Sequence, residues 1–236
     1  MINHDFNTVE ISDGTSMKVY VALPEGEGPF PSIFVLQEAF GVNHHIRDVA
    51  ERFCRLGYSV ISPDLYHRSS ERLEAGYDEF PSIVPHYQAL TNEGLTLDLM
   101  ACYEYLFTLK KISMDKVGCV GFCLGGKVSF LANAVLPITC GVSFYGGGLE
   151  MLSNFAKDLH GPHLFLWGGL DKHITEEKRN IILKAVTDAG KDFTNVYLSY
   201  ADHGFFCDER GSYNPMATKE AWAITTMFFE NRLVKD

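Results

Sequence analysis

A chain of 236 residues that is 46% hydrophobic and 21% charged can fill a large core, and we expect one α/β domain over 1–236 rather than a disordered or fibrous chain. Its formal net charge of -10 argues against a nucleic-acid partner, which needs clustered Lys and Arg, and means that an anionic substrate needs a local cation. No apolar run reaches membrane-spanning length, and residues 1–14 lack the basic start and apolar core of an export signal, so a cytoplasmic protein without a membrane partner is expected.

Residues 8–12 and 17–23 flank Asp13-Gly14, which predicts an opening antiparallel hairpin. A strand is expected at 32–36 (SIFVL). Ile46, Val49, Ala50 and Phe53 then share one helical face, with Gly57 at a C-cap, before a strand at 58–62 (YSVIS). Residues 77–90, carrying Pro81 and Pro85, show no clear period and read as an irregular excursion of the kind that forms lids. Leu95, Leu99, Cys102 and Leu106 make a second helical stripe, followed by a strand at 117–121. Val128, Leu131, Ala132 and Val135 make a third, followed by strands at 138–145 and 163–167 (HLFLW).

Ile182, Ala185, Val186 and Ala189 define a helix opened by Thr175 and closed by Gly190, and 193–200 is the last predicted strand. The final helix opens at Asn214-Pro215, a cap followed by proline at the first helical position, and carries Ala221, Ile224, Thr225 and Phe228 inward. Several strands are apolar throughout, as expected of strands covered on both faces. Strands separated by helices imply right-handed crossovers and a mostly parallel sheet.

Ligands of such sheets meet the carboxyl ends of the strands, where the chain delivers Glu38, Asp64, Cys123, Tyr145, Asp171 and His203. The stretch GFCLGG at 121–126 has two chemical readings. As a phosphate loop, 121–127 match GxxxxGK with Lys127 in place, yet Val128 has no oxygen for Mg²⁺, and Ser129 points about 100° away on an ideal helix. As a nucleophile elbow, Gly121 and Gly125 flank Cys123 at a helix N-terminus that favours a thiolate. The backbone N–H of Leu124 then faces an oxyanion, with Ala39 as the simplest second donor. Asp171 and His203 follow in the order an elbow requires, as the orienting acid and the base, and Asp202 has a lesser role.

Cys54, Cys102, Cys119 and Cys140 lie in apolar patterns where a reduced thiol packs as a small hydrophobe. His160 with His163, and His44 with His45, have spacing that could suit a metal, but no set of Cys or carboxylate accompanies them. We expect structural or surface histidines there, no metal and no cofactor.

QEAFGVN at 37–43, GYSVISPDLY at 57–66, GFCLGG at 121–126, SFYGGG at 143–148, Asp171, HGF at 203–205 and the Asn-Pro helix ending AWAITTMFFENRL together resemble the dienelactone hydrolase family. The resemblance implies a three-layer α/β-hydrolase fold with Cys123 as nucleophile, His203 as base, Asp171 as acid, and Ala39 with Leu124 as oxyanion donors. Glu38 matches the family carboxylate that helps control ionisation of the thiol; without the resemblance it reads as a solvent-facing strand-end residue.

Enzymes of the family that act on the acidic dienelactone grip its carboxylate with arginines. One lies four residues after the catalytic histidine, where this chain has Cys207; for the other, Arg68 and Arg72 are available. The expected substrate is therefore a small neutral or differently charged ester or lactone, with Phe40, Tyr145, His173 and Arg72 as substrate-binding residues. The protein is expected as a monomer or homodimer. Two alternatives stay open: a nucleotide binder at 121–127, and a non-catalytic or thiol redox-sensing member of the fold, with Cys207 a neighbour or redox partner of Cys123.

Overall fold

The computed structural model describes residues 2–109 and 111–234. The chain divides into two compact units, residues 1–117 and 118–236. In the first, the predicted hairpin forms from β1 (Asn3–Glu10) and β2 (Ser16–Leu23), antiparallel with Glu10 opposite Ser16. β3 (Phe30–Leu36), α1 (His44–Arg55) and β4 (Ser59–Pro63) follow. The strand order is β1-β2-β4-β3: β4 runs antiparallel to β2 and parallel to β3, with Ser32 beside Ser59. α1 begins where the Asn43 side chain accepts the Ile46 N–H at 3.2 Å, and it buries Ile46, Val49, Ala50 and Phe53 as the spacing predicts.

The segment 77–90 differs from expectation. It holds a helix, α2 (Phe80–Gln88), with Pro81 in the first turn, where no intrahelical donor is required. Ile83 is its one buried residue, so no apolar period marks the helix in the sequence. Ile83 packs with Ala39 and Phe40, and the Phe40 and Tyr77 rings lie 4.6 Å apart, fastening this excursion over the end of β3. α3 (Asn92–Leu106) is capped by Thr91 and buries the predicted stripe together with Asp98.

β5 (Ile112–Phe122) starts five residues earlier than the predicted strand and runs from the first unit into the second. The second unit continues with α4 (Leu124–Val135), β6 (Cys140–Phe144), a 3₁₀ segment Leu149–Asp158, β7 (His163–Gly168), α5 (Glu176–Asp188), β8 (Phe193–Leu198) and α6 (Pro215–Phe229), ending in a π turn, Glu230–Val234. Its strands lie in sequence order, β5-β6-β7-β8, and all pair in parallel. Phe122 is beside Phe144, Phe144 beside Leu166 and Gly168 beside Leu198, so the four carboxyl ends finish at one edge. β6 and β7 are buried along their whole length, which explains their largely apolar composition, while β8 buries Leu198 alone. The chain thus has the expected mixed, mostly parallel α/β class with an antiparallel N-terminal hairpin. Among the described residues, no helix is long and apolar enough to cross a membrane.

Candidate active site

Cys123 stands between β5 and α4 with φ 53° and ψ -111°, a conformation that residues with a Cβ rarely adopt. Two bonds hold it there. Its N–H donates to the Phe144 carbonyl at 3.1 Å, and its own carbonyl accepts the Gly126 N–H at 3.0 Å. The glycines of the corner serve close backbone contact: a Cβ on Gly121 would lie 1.8 Å from the Gly125 carbonyl oxygen, and one on Gly126 2.7 Å from the Gly146 Cα. This packing of backbone on backbone meets the need of an elbow.

Asp171 lies in the loop after β7 and is buried. One carboxylate oxygen accepts the backbone N–H groups of His173 (2.8 Å) and Ile174 (3.1 Å); the other pairs with His203 Nδ1 at 2.7 Å. Burial pushes the Asp171 carboxyl up, but the His203 hydrogen bond and charge, with the two amides, overcome it and leave the pKa below the usual carboxylate value. His203 follows β8, near enough to Cys123 for the charge of the sulfur to act on its ring. Since Nδ1 is taken by Asp171, Nε2 is the nitrogen left for the sulfur. Burial lowers the His203 pKa; the negative charge of the Cys123 sulfur, then the Asp171 and Cys123 hydrogen bonds and the Asp171 charge, push it up to about 10.

The loop bearing His203 is fastened from below. Phe205 and Phe206 are buried, Phe206 lying 5.2 Å from Phe122 and 5.0 Å from Phe144, and Phe205 5.2 Å from Tyr145. Aromatic pairs of this kind contribute about 0.5–1.5 kcal/mol each beyond their burial. Asp202 accepts the His203 N–H at 2.7 Å, the lesser role its place beside the histidine suggests.

Of the predicted substrate residues, Tyr145 (φ 35°) and His173 set their rings 5.1 and 5.7 Å from that of His203. Glu38, Ala39, Phe40 and Arg72 belong to the first unit. Glu38 is fully buried, which overturns its reading as a solvent-facing residue, since carboxylates are seldom buried without a purpose. Arg72 lays its guanidinium 4.0 Å from the centroid of Phe6, and Arg68 forms ion pairs with Asp98 and Asp13. His163 is wholly buried against Ser143 and Asn133, and all six cysteines are free thiols. The Ser143–His163 pair escaped the sequence reading because a serine within an apolar strand gives no local sign of its partner.

A strained corner between strand and helix, followed in chain order by a carboxylate and an imidazole in loops after β7 and β8, is the arrangement of the α/β-hydrolase fold. The Pyrococcus horikoshii acylaminoacyl peptidase agrees at the level of fold alone, with a TM-score of 0.79 and 16% identity over 99% of this chain and 42% of that one. The chain belongs to the dienelactone hydrolase family, whose model matches residues 17–233. It is 33% identical over 226 residues to a Synechocystis sp. protein named "Putative carboxymethylenebutenolidase", covering 91% of each chain. The crystal structure of a "Putative Dienelactone Hydrolase" from Klebsiella pneumoniae shares its shape with a TM-score of 0.89, at 28% identity, over 97% of this chain and 98% of that one. The protein is a dienelactone hydrolase-like hydrolase. The nucleotide-loop and redox-sensor alternatives gain no support from these comparisons.

Proposed function

We propose that the protein hydrolyses an ester or lactone bond of a small molecule through Cys123, with His203 and Asp171 completing a catalytic triad. The observation that carries this reading is His203, whose Nδ1 pairs with the Asp171 carboxylate at 2.7 Å and whose pKa is raised first by the charge of the Cys123 sulfur. Proton transfer from Cys123 to His203 gives a thiolate and an imidazolium, and Asp171 stabilises the latter. The sulfur attacks the carbonyl carbon, and the Leu124 N–H, in the first turn of α4, supports the resulting oxyanion. Collapse of the intermediate breaks the C–O bond; the leaving alkoxide takes the proton from His203, and a thioester remains on Cys123. Water, deprotonated by His203, attacks that thioester and releases the carboxylic acid, and the proton returns to the sulfur.

For Glu38 as the carboxylate that tunes the thiol, and Ala39 as second oxyanion donor, the support is the QEAFG motif. Tyr145 and His173 are proposed as substrate-binding residues because their rings flank His203. The favoured substrate is neutral. Cys207 occupies the position of one family arginine, Arg68 is engaged by two carboxylates, Arg72 lies over Phe6, and the net charge of -10 repels anions.

A panel of neutral and acidic esters and lactones, run on wild type and Cys123→Ala, tests the proposal. Turnover of neutral members that the variant loses, with an acyl adduct on the peptide carrying Cys123 by mass spectrometry, is the expected result. Undiminished turnover by Cys123→Ala would overturn the mechanism. A strict demand for acidic substrates would overturn the choice of substrate.

A further inference from the structure

We propose that His163 is a positioning residue for the nucleophile: through Ser143 it fixes the Gly126 carbonyl, and with it the first turn of α4 from which Cys123 is presented. The proposal rests on the reading of Cys123 as nucleophile. His163 opens β7, is wholly buried, and packs its ring against those of Phe130 (5.3 Å) and Phe165 (4.7 Å). It lies so close to β6 that a Cβ on Gly141 would be 2.6 Å from its Nδ1.

The hydrogen bonds around it form a directional relay. Asn133, on α4, donates from Nδ2 to the Gly161 carbonyl at 2.9 Å and meets His163 Nδ1 at 3.2 Å, while its Oδ1 accepts the Gly161 N–H at 3.0 Å. His163 Nε2 lies 2.8 Å from Ser143 Oγ, which donates to the Gly126 carbonyl at 2.6 Å. The two ends fix the direction of every link. An amide NH₂ can only donate, so Nδ1 must accept; a carbonyl can only accept, so the serine proton points to Gly126. The imidazole is therefore neutral with its proton on Nε2, and that proton is given to Ser143. Burial supports the neutral form, pulling the His163 pKa down to about 3.

Gly126 is thereby gripped at both ends of one residue. Its N–H holds the Cys123 carbonyl, and its carbonyl is held by the relay. The strained φ of Cys123 needs such support, because a residue in that region relaxes unless its surroundings determine it. A second tie acts farther along α4, where Ser129 donates to the Val142 carbonyl at 2.8 Å, so the relay's own effect belongs at the helix start.

Two kinds of measurement test the proposal. In the wild-type protein, long-range ¹H–¹⁵N spectra between pH 6 and 8 are expected to show His163 neutral with its proton on Nε2. An Nδ1–H tautomer or an imidazolium overturns the proposal, including where a variant fails to fold. Ser143→Ala cuts the last link, and His163→Phe cuts the relay while offering the aromatic slot a ring. Both are expected to lower kcat about 10- to 100-fold with little change in KM, and to slow iodoacetamide alkylation of Cys123 in the native protein by a similar factor. Folded variants that keep wild-type kcat and alkylation rate overturn it. The alkylation arm needs no substrate: a wild type inactive on the whole ester panel would refute the proposed function, yet a slowed thiol in the variants would still support the positioning role.

Discussion

The charge of the His203 ring depends on its neighbours, Cys123 and Asp171. Burial works against the imidazolium, and the largest influence opposing it is the negative sulfur. Replacing that sulfur in Cys123→Ser leaves the burial and removes the charge. The ring proton resonances of His203 are therefore expected to titrate well below about 10, moving towards the ordinary value near 6.5. An unchanged midpoint would mean that Asp171 alone keeps the ring protonated. The residues proposed as a triad could be picked out in the sequence because each follows a strand and comes in the order that an elbow requires. The angle of Cys123 was legible as well, through Gly121 and Gly125. The relay behind it was not, since Ser143, His163 and Asn133 sit in separate elements and meet only in the folded chain.

At the scale of elements, α6 steadies the loop that carries His203. Asn214 caps the helix by accepting the Ala217 N–H at 3.1 Å, and its Nδ2 donates to the Tyr200 carbonyl at 3.2 Å. The Asn214 N–H and the Thr218 hydroxyl both donate to the Phe205 carbonyl, at 3.0 and 2.9 Å. The loop is thus gripped on both sides of the histidine. Asn214→Ala should cost about 1–2 kcal/mol of stability, read from urea unfolding, and also lower kcat. Asn214→Asp keeps the cap acceptor and loses the donor to Tyr200, so it should recover most of the stability and less of the activity. A kcat at the wild-type value in both variants would show that α6 leaves the histidine loop unaffected. Asn214-Pro215 announced this helix in the sequence because capping is a local event. α2 and the 3₁₀ segment Leu149–Asp158 went unread because α2 buries one residue and the 3₁₀ segment does not follow the 3.6-residue period.

For the whole molecule, the division at 117/118 falls inside β5, so no linker composition could have marked it. Wholly buried His163 also gives the protein a particular response to acid. A histidine whose folded pKa lies below its unfolded value contributes stability that is present above about 6.5 and lost as pH falls towards the folded value. With a folded value of about 3, the loss at pH 4.5 should be roughly 2–3 kcal/mol. Urea midpoints at pH 7 and 4.5 should therefore fall farther for wild type than for His163→Phe, which lacks the titrating group. Equal falls would exclude this contribution.

Cys123 is part-exposed, and the other five cysteines are buried. The chain therefore carries its own tally of folding. A colorimetric disulfide reagent added to intact protein should release one equivalent of chromophore quickly, and six once denaturant opens the structure. The first equivalent counts the folded molecules in a preparation, and the slow remainder clocks how often the interior comes apart.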